Sequence, residues 1–307
     1  MNPVWQWKAE IGARVGAPAD FEPSAPELEM LNAHLPPVSD AHLAQLTAST
    51  EGQNTLIKYL VERHERLWRA RSDPLRHGFE LAHWRDFRHV VQNRIETFVP
   101  GGNNSAKSWL FGKLIVEVLT RRFTWPELPA SGMRVLAIAQ DDNSSKMFLQ
   151  PAVYAHLPLQ YRSYNQQREK KRQWDMKVNY SDAGGFTDGV FTLPSPLRSQ
   201  CWFKTVAQYW DNPRTFEGPA YHLVTVDEGC PRALWSTLKI RARKVGGRLL
   251  YALTCVDGYD EVMGDALEGA RVTRSLPMQW TWKQGRKAEA ETFNAQHSTS
   301  NLEVQKA

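Results

Sequence analysis

The sequence predicts an α/β fold in which helices flank a mainly parallel central sheet, and two observations support this prediction. Short apolar runs suited to buried strands alternate with polar segments suited to helices and loops, which is the order found around parallel sheets. One of these runs leads directly through a glycine-rich turn into an apolar helix, a strand-turn-helix unit typical of such folds. The predicted strands cover residues 95–99, 134–139, 201–206, 222–226 and 248–253.

Composition divides the chain into three predicted regions. Residues 1–77 should form an N-terminal extended arm and helical lid, because a segment rich in proline and alanine is followed by apolar positions at helical spacing over 54–71. Residues 78–276 contain the predicted sheet, interrupted by a long polar insertion at 162–185. Residues 277–307 are polar and are expected to form a flexible tail.

Composition also excludes several classes of protein. A chain with 42% hydrophobic and 23% charged residues is expected to fold. The three cysteines are odd in number and lack C-x-x-C spacing, which argues against a disulfide framework and a zinc site. The most apolar run, 109–118, is about half the length that spans a bilayer, so no membrane segment is predicted. A net charge of +5 suits a polyanionic partner without demonstrating one.

A glycine-rich loop follows the first predicted strand and nearly matches the phosphate-loop pattern G-x-x-x-x-G-K-S. Small residues let backbone N–H groups converge on a phosphate, and the start of the next helix adds partial positive charge. In this pattern Lys107 would reach the β- and γ-phosphates of ATP, and Ser108 would ligate Mg²⁺. The alternative is an ordinary turn before a helix. The loop consists of Gly101, Gly102, Asn103, Asn104, Ser105, Ala106, Lys107 and Ser108.

Ala106 occupies the position of the last glycine in that pattern. An extra methyl group is tolerable there if the local φ is negative, and it is costly if the loop needs a left-handed residue. The sequence leaves both alternatives open.

Two adjacent carboxylates, Asp227 and Glu228, end the predicted strand 222–226. In a nucleotide-hydrolysing sheet the first acid holds hydrated Mg²⁺ and the second polarises the attacking water. A strand that ends in a solvated acidic turn is the alternative for this motif alone. Because both motifs occur in the required order within one α/β region, together they predict a P-loop ATPase, and Glu228 as a general base favours hydrolysis over binding alone.

Four segments in this order resemble the ATPase half of tailed-phage terminase large subunits, the motors that package double-stranded DNA. They are His83-Trp84, the loop 101–108, Phe216-Glu217-Gly218 and the coupling-motif-like segment 253–259. The resemblance implies a P-loop NTPase fold of the additional-strand, catalytic-glutamate type, with a mainly parallel central sheet, flanking helices and an N-terminal helical or extended arm.

The resemblance also implies roles for individual residues. Lys107 would act on phosphate, Ser108 and Asp227 on Mg²⁺, and Glu228 on the attacking water. Thr254 would sense the γ-phosphate and relay hydrolysis to the DNA-gripping surface. Trp84 would help to hold adenine, although packing against the core is the alternative for a tryptophan in that place.

Further expectations concern cofactors, partners and location. The resemblance implies ATP and Mg²⁺ as cofactors, with double-stranded DNA, a small terminase subunit and the portal vertex of a procapsid as partners. It also implies a homo-oligomeric ring on the portal, action in the host cytoplasm and no contact with a membrane. Two alternatives stay open: another P-loop nucleic-acid motor such as a helicase, and a non-catalytic or truncated assembly factor, which the alanine before Lys107 would suit.

The chain departs from the family pattern in three places. Cys255 replaces the usual proline of the coupling motif, and Glu217 stands where many relatives have arginine, so no arginine finger is assigned there. Too few residues follow Gly258 for a nuclease domain, and we therefore expect no DNA cleavage by this polypeptide. By chemistry alone, the candidates for an arginine finger are Arg214, Arg241 and Arg243. A solvated acidic helix or loop is expected to hold Asp260, Glu261, Asp265 and Glu268.

Overall fold

The computed structural model describes residues 28, 31–32, 35, 37–78, 87–101, 106–162, 178–254 and 260–269. The described residues up to Gly78 belong to one compact unit, and those from Phe87 to Gly269 belong to a second. Several sequence predictions lie outside the described residues: those on Trp84, Gly102, Asn103, Asn104, Ser105, the segment 255–259 and the tail 277–307.

The first unit is helical, with α1 at Asp40–Thr47, α2 at Thr50–Ser72 and α3 at Pro74–His77. The hydroxyl of Ser49 accepts a hydrogen bond from Gly52 N at 3.0 Å and so caps the start of α2. The amphipathic helix predicted over 54–71 is confirmed, and this cap explains why α2 begins four residues earlier than its apolar pattern. No described helix in either unit is both long and apolar enough to cross a membrane.

The second unit is built on a six-stranded sheet with a separate small hairpin. Its strands are β1 (Glu96–Gly101), β2 (Arg134–Ala139), β3 (Tyr180–Ser181), β4 (Gly185–Phe186), β5 (Val190–Thr192), β6 (Gln200–Thr205), β7 (Leu223–Asp227) and β8 (Arg248–Thr254). The order in the large sheet is β1-β8-β7-β2-β6-β5, and β3 pairs with β4 alone. All pairs in the large sheet are parallel except β5 with β6.

This sheet confirms the predicted fold class. All five predicted strands are present, and each begins and ends within two residues of the predicted first and last residues. Strand β8 lies between the strand that leads into the glycine-rich loop and the strand that ends in the acid pair, which is the additional strand of the expected fold type. The hairpin β3–β4 falls at the end of the segment predicted only as a polar insertion, and β5 was not predicted.

Helices cover both faces of the sheet. In chain order they are α4 (Phe87–Asn93), α5 (Lys107–Leu119), α6 (Asp142–Ser144), α7 (Gln150–His156), α8 (Val206–Asp211), α9 (Arg232–Arg243) and α10 (Glu261–Gly269), with a π-helical turn at Ser145–Leu149. Leu234 and Leu238 of α9 and Met263 of α10 pack on one face of the sheet, together with Val224 and Tyr251. Since side chains alternate along a strand, Asp227 and Thr254 point to the opposite face.

Helix α5 is almost wholly buried, which explains the apolar run that the sequence shows after the glycine-rich loop. Gly112 lies where α5 meets α7, because a Cβ at this position would come within 2.6 Å of the carbonyl carbon of Ala152. Glycine therefore permits the close contact between α5 and α7.

Candidate active site

Three strand ends meet the start of α5 at one edge of the sheet. Gly101, the last residue of β1, is paired with Thr254, the last residue of β8. Asp227 ends β7 and is paired with Ala252 of the same neighbouring strand. Because ligands of open parallel sheets bind outside the carboxyl ends of the strands, this edge is the expected place for a site.

Ser108 and Asp227 contact each other at this edge. The Ser108 hydroxyl donates a hydrogen bond to Oδ2 of Asp227. Burial raises the pKa of Asp227 to about 6, an effect that the Glu228 carboxylate reinforces and that Ser108 and Lys107 oppose. The other carboxylate oxygen, Oδ1, is buried and has no hydrogen-bond partner among the described residues.

The Oδ1 oxygen of Asp227 is relevant to metal binding. A buried carboxylate oxygen with no partner is costly in free energy, and a cation at this position would remove the cost. Serine hydroxyl and aspartate carboxylate oxygens are ligands of the hard type that Mg²⁺ prefers. Ser108 and Asp227 therefore fit the Mg²⁺ ion that the sequence predicts, with one oxygen available to it.

Lys107, Thr254 and Glu228 form a second set of contacts beside the first. The Lys107 ammonium donates to Oγ1 of Thr254 at 2.8 Å and lies 3.8 Å from Oε1 of Glu228. The Thr254 backbone N–H donates to Oε2 of Glu228 at 2.9 Å, and its hydroxyl donates to Oε1. The Lys107 side chain is 6% exposed and that of Glu228 is 39% exposed, so of these two charged groups the carboxylate is the more accessible to solvent.

The backbone of Glu228 adopts a conformation that is unfavourable for a residue with a side chain. Its φ is +68°, and Gly229 follows with a φ of +29°. A non-glycine residue in the left-handed region costs about 1–3 kcal/mol and persists where the surrounding structure fixes it, often at functional sites. The amide N–H of Glu228 donates to the Ala252 carbonyl of β8 at 2.9 Å, which is one such restraint.

Ala106 is also left-handed, with a φ of +59° immediately before α5. Of the two alternatives that the sequence left open, the structure shows the costly one: the loop requires a conformation that glycine adopts freely and alanine does not. The resulting strain lies directly before Lys107 and Ser108.

Ala106→Gly is therefore expected to raise the free energy of unfolding by up to about 1 kcal/mol, since relief of the strain outweighs the extra freedom of glycine in the unfolded chain. Urea unfolding of the two proteins measures the difference. Ala233→Gly is the matched control, because Ala233 is exposed within α9 and its loss should destabilise the protein by about 1 kcal/mol. Destabilisation by both variants would contradict the assignment of strain to Ala106.

Asp227→Asn is expected to stabilise the protein in the absence of Mg²⁺ and nucleotide, and more so at pH 8 than at pH 4. Because burial raises the pKa of Asp227 from 3.8 to about 6, the folded state binds the proton more tightly than the unfolded chain does. Stability therefore falls as pH rises through this window, by about 2–3 kcal/mol in all. An asparagine at this position stays neutral and still accepts a hydrogen bond from Ser108, so the variant does not lose this stability as pH rises.

Urea unfolding in EDTA at both pH values tests this expectation. The matched control is Asp182→Asn, on an exposed residue beside β3, which should show no such pH dependence. An equal effect of Asp227→Asn at pH 4 and pH 8 would contradict the assignment of the raised pKa to this carboxylate.

The structure brings together every described residue that the sequence assigned to the site. Gly101, Ala106, Lys107, Ser108, Asp227, Glu228 and Thr254 lie at the same edge of the sheet. The catalytic, metal and phosphate roles given to them stay predictions, and so do those of Trp84 and residues 102–105.

The arginines considered as fingers have other contacts. Arg241 donates to the Gly218 carbonyl at 2.9 Å, and Arg243 lies 3.7 Å from the Glu96 carboxylate. Arg214 is exposed at a turn before β7. None of these described contacts is with the site residues.

One expectation about the acidic residues after the coupling segment is wrong. Glu261, Asp265 and Glu268 are exposed on α10, as expected. Asp260, in contrast, is not simply solvated: its carboxylate accepts hydrogen bonds from the backbone of Cys230 and from the hydroxyl of Tyr251. These contacts join parts of the chain far apart in sequence, so no local pattern could have indicated them.

No family model and no curated protein matches this chain. Among solved structures it is similar to an ATPase-domain mutant of the large terminase from Thermus phage P74-26, with 18% identity, 64% of this chain and 74% of that chain covered, and a TM-score of 0.40. It is also similar to two crystal forms of the large terminase from a thermophilic bacteriophage. One has 12% identity, 66% and 44% coverage of the two chains and a TM-score of 0.41. The other has 11% identity, 62% and 40% coverage and a TM-score of 0.38.

The matched region thus spans less than half the length of the latter terminase. The fold class of this chain rests on its own sheet order and register.

Proposed function

We propose that this chain is the ATP-hydrolysing motor subunit of a viral DNA-packaging terminase, which couples hydrolysis to translocation of double-stranded DNA into a procapsid. The observation that carries the proposal is the direct contact of Lys107, Thr254 and Glu228 at the carboxyl edge of the sheet. The sequence motifs assign these three residues to phosphate binding, coupling and water activation. Proximity of the three is what a hydrolytic centre of this class requires.

In this proposal the start of α5 binds the phosphates of ATP. The N–H groups at the helix start and the Lys107 ammonium would hold the β- and γ-phosphates. Ser108 and Asp227 would hold Mg²⁺, which neutralises negative charge on the phosphate oxygens. Burial raises the pKa of Asp227 to about 6, and a bound cation would favour the ionised form of this carboxyl and so lower that pKa.

Glu228 would orient the attacking water and accept its proton. Its carboxylate is the exposed member of the cluster, so water reaches it, while Thr254 fixes both of its oxygens. A general base needs a defined direction as well as a suitable pKa, and two hydrogen bonds from one residue supply that direction.

Thr254 would couple phosphate binding by Lys107 to water activation by Glu228. Its hydroxyl accepts from Lys107 and donates to Glu228, so the lysine and the base share one partner. When phosphate binds, Lys107 would move towards it and its hydrogen bond to the Thr254 hydroxyl would break. When phosphate leaves, this hydrogen bond would form again. Through Thr254 the segment 255–259 would respond to the state of the nucleotide.

The proposal includes the partners that the sequence predicts. Double-stranded DNA would be the translocated substrate, and a small terminase subunit and the portal vertex would be the protein partners. Copies of this chain would form a ring on the portal in the host cytoplasm.

The experiment that tests the proposal measures ATP hydrolysis with blunt linear duplex DNA and strand separation of a tailed duplex. The proposal predicts hydrolysis that the blunt duplex stimulates, without strand separation. Unwinding of the tailed duplex would assign the chain to helicases instead. Binding to DNA with no hydrolysis under any condition would assign it to non-catalytic assembly factors.

A further inference from the structure

The turn that carries Glu228 is held at its far end by a carboxylate that belongs to neither nucleotide motif. Oδ2 of Asp260 accepts a hydrogen bond from the Cys230 backbone N–H at 3.0 Å. The Tyr251 hydroxyl donates to the same oxygen and accepts from the same N–H, at 3.0 Å. Cys230 and Tyr251 are both buried, so these bonds are shielded from water.

The second oxygen of Asp260 is also occupied. Oδ1 accepts from the Met263 N–H at 2.8 Å, which caps the start of α10. Three donors therefore converge on one side chain, which a carboxylate can satisfy because both of its oxygens accept hydrogen bonds. An asparagine at this position has one acceptor oxygen and places an N–H₂ group against the remaining donors.

The tyrosine that completes this contact is itself fixed by packing. Tyr251 lies in β8, and its ring packs against that of Trp235 in α9 with centroids 5.7 Å apart. Its hydroxyl is thus held at a defined place beside Cys230. Asp260 is joined to the rigid part of the unit through this hydroxyl and through α10.

The turn needs such support because its backbone is unfavourable. Glu228 and Gly229 both have positive φ, and the turn is bound at its start by Ala252 of β8. Asp260 supplies the restraint at the end of the turn, on Cys230. Without it the turn keeps its contacts with Ala252, Thr254 and the Tyr251 hydroxyl but loses a hydrogen bond at its far end, so the left-handed Glu228 is held less tightly and its carboxylate is displaced.

Asp260 also follows directly on the coupling segment. Thr254, the residue before 255–259, bonds the side chain of Glu228, and Asp260, the residue after it, bonds the backbone of the same turn. Thr254 and Asp260 therefore contact the same turn, the first at the Glu228 side chain and the second at the Cys230 backbone.

We propose that Asp260 is a positioning residue of this ATPase centre: it fixes the Glu228–Cys230 turn and, through that turn, the carboxylate of Glu228. The inference rests on the proposed function and deepens it, because it adds a residue that acts through Glu228 and touches neither nucleotide nor metal. Nucleotide binding, which depends on Lys107, Ser108 and Asp227, should not require Asp260.

The test is steady-state hydrolysis and nucleotide affinity of purified full-length Asp260→Asn. We expect kcat to fall at least about 10-fold, since a small displacement of a catalytic group has effects of this order or larger. The KM for ATP and the Kd for fluorescent ADP should stay within about 2-fold, because the residues that hold phosphate are untouched.

Two further variants separate positioning from folding. Asp265→Asn removes a carboxylate of the same helix that pairs with Arg232 at the surface, and it should keep the wild-type kcat. Tyr251→Phe leaves the ring in the core and removes one hydroxyl, so it should lower kcat less than Asp260→Asn does.

Each outcome decides the inference. A lower kcat with unchanged nucleotide affinity in Asp260→Asn, graded through Tyr251→Phe, supports it. Wild-type kcat in Asp260→Asn, or a parallel loss of kcat, nucleotide affinity and folded protein, overturns it while an active wild-type protein upholds the proposed function. A wild-type protein with no hydrolysis overturns both.

Discussion

Lys107→Ala is expected to lower kcat/KM for ATP at least about 100-fold and to weaken nucleotide binding, because it removes the one buried ammonium at the start of α5 among the described residues. The same change deprives Thr254 of the donor that lies 2.8 Å from its hydroxyl. Phosphate release and the Kd for fluorescent ATP measure the two effects separately.

The matched control for this substitution is Lys146→Ala. Lys146 is an exposed lysine of the π-helical turn in the same unit, so its loss should leave hydrolysis and nucleotide affinity unchanged. Equal activity of Lys107→Ala and wild-type protein would remove Lys107 from the phosphate site and with it the basis for a P-loop ATPase.

Glu228→Gln is expected to lower kcat about 10²–10⁴-fold, the range typical of a lost general base. ATP should still bind, since Lys107, Ser108 and Asp227 remain. Glutamine has nearly the shape of glutamate, and its carbonyl oxygen can still accept from the Thr254 N–H that now lies 2.9 Å from the carboxylate. The variant should therefore hold ATP without cleaving it, which a filter-binding assay with labelled ATP detects.

Glu217→Gln serves as the control for Glu228→Gln, because Glu217 is exposed in the turn before β7 and should not affect turnover. If Glu228→Gln hydrolysed ATP at the wild-type rate, another group would have to activate the water. Loss of both binding and hydrolysis would instead give Glu228 a structural role.

Most of the sheet could be predicted from the sequence because its central strands are buried on both faces. The strand β7 is buried at every position, and its leucine and two valines stand out from the polar segments around it. The hairpin β3–β4 and the edge strand β5 have only two or three residues each, too few for any period to show.

Only those site residues that belong to recognisable sequence motifs could be predicted. Lys107, Ser108, Asp227 and Glu228 stand in patterns whose chemistry fixes their order. The left-handed backbone of Ala106 depends on how the chain enters α5, which the residue type does not reveal. Asp260 was grouped with solvated acids because its partners on Cys230 and Tyr251 lie 30 and 9 residues away along the chain.

The most direct test of the central claim is phosphate release from Mg²⁺-ATP by the intact chain, measured with and without linear duplex DNA. We expect Mg²⁺-dependent turnover that duplex DNA increases, because the proposal assigns one ATPase centre to Lys107, Asp227, Glu228 and Thr254. No phosphate release at high protein concentration, with Mg²⁺ and duplex DNA both present, would contradict it.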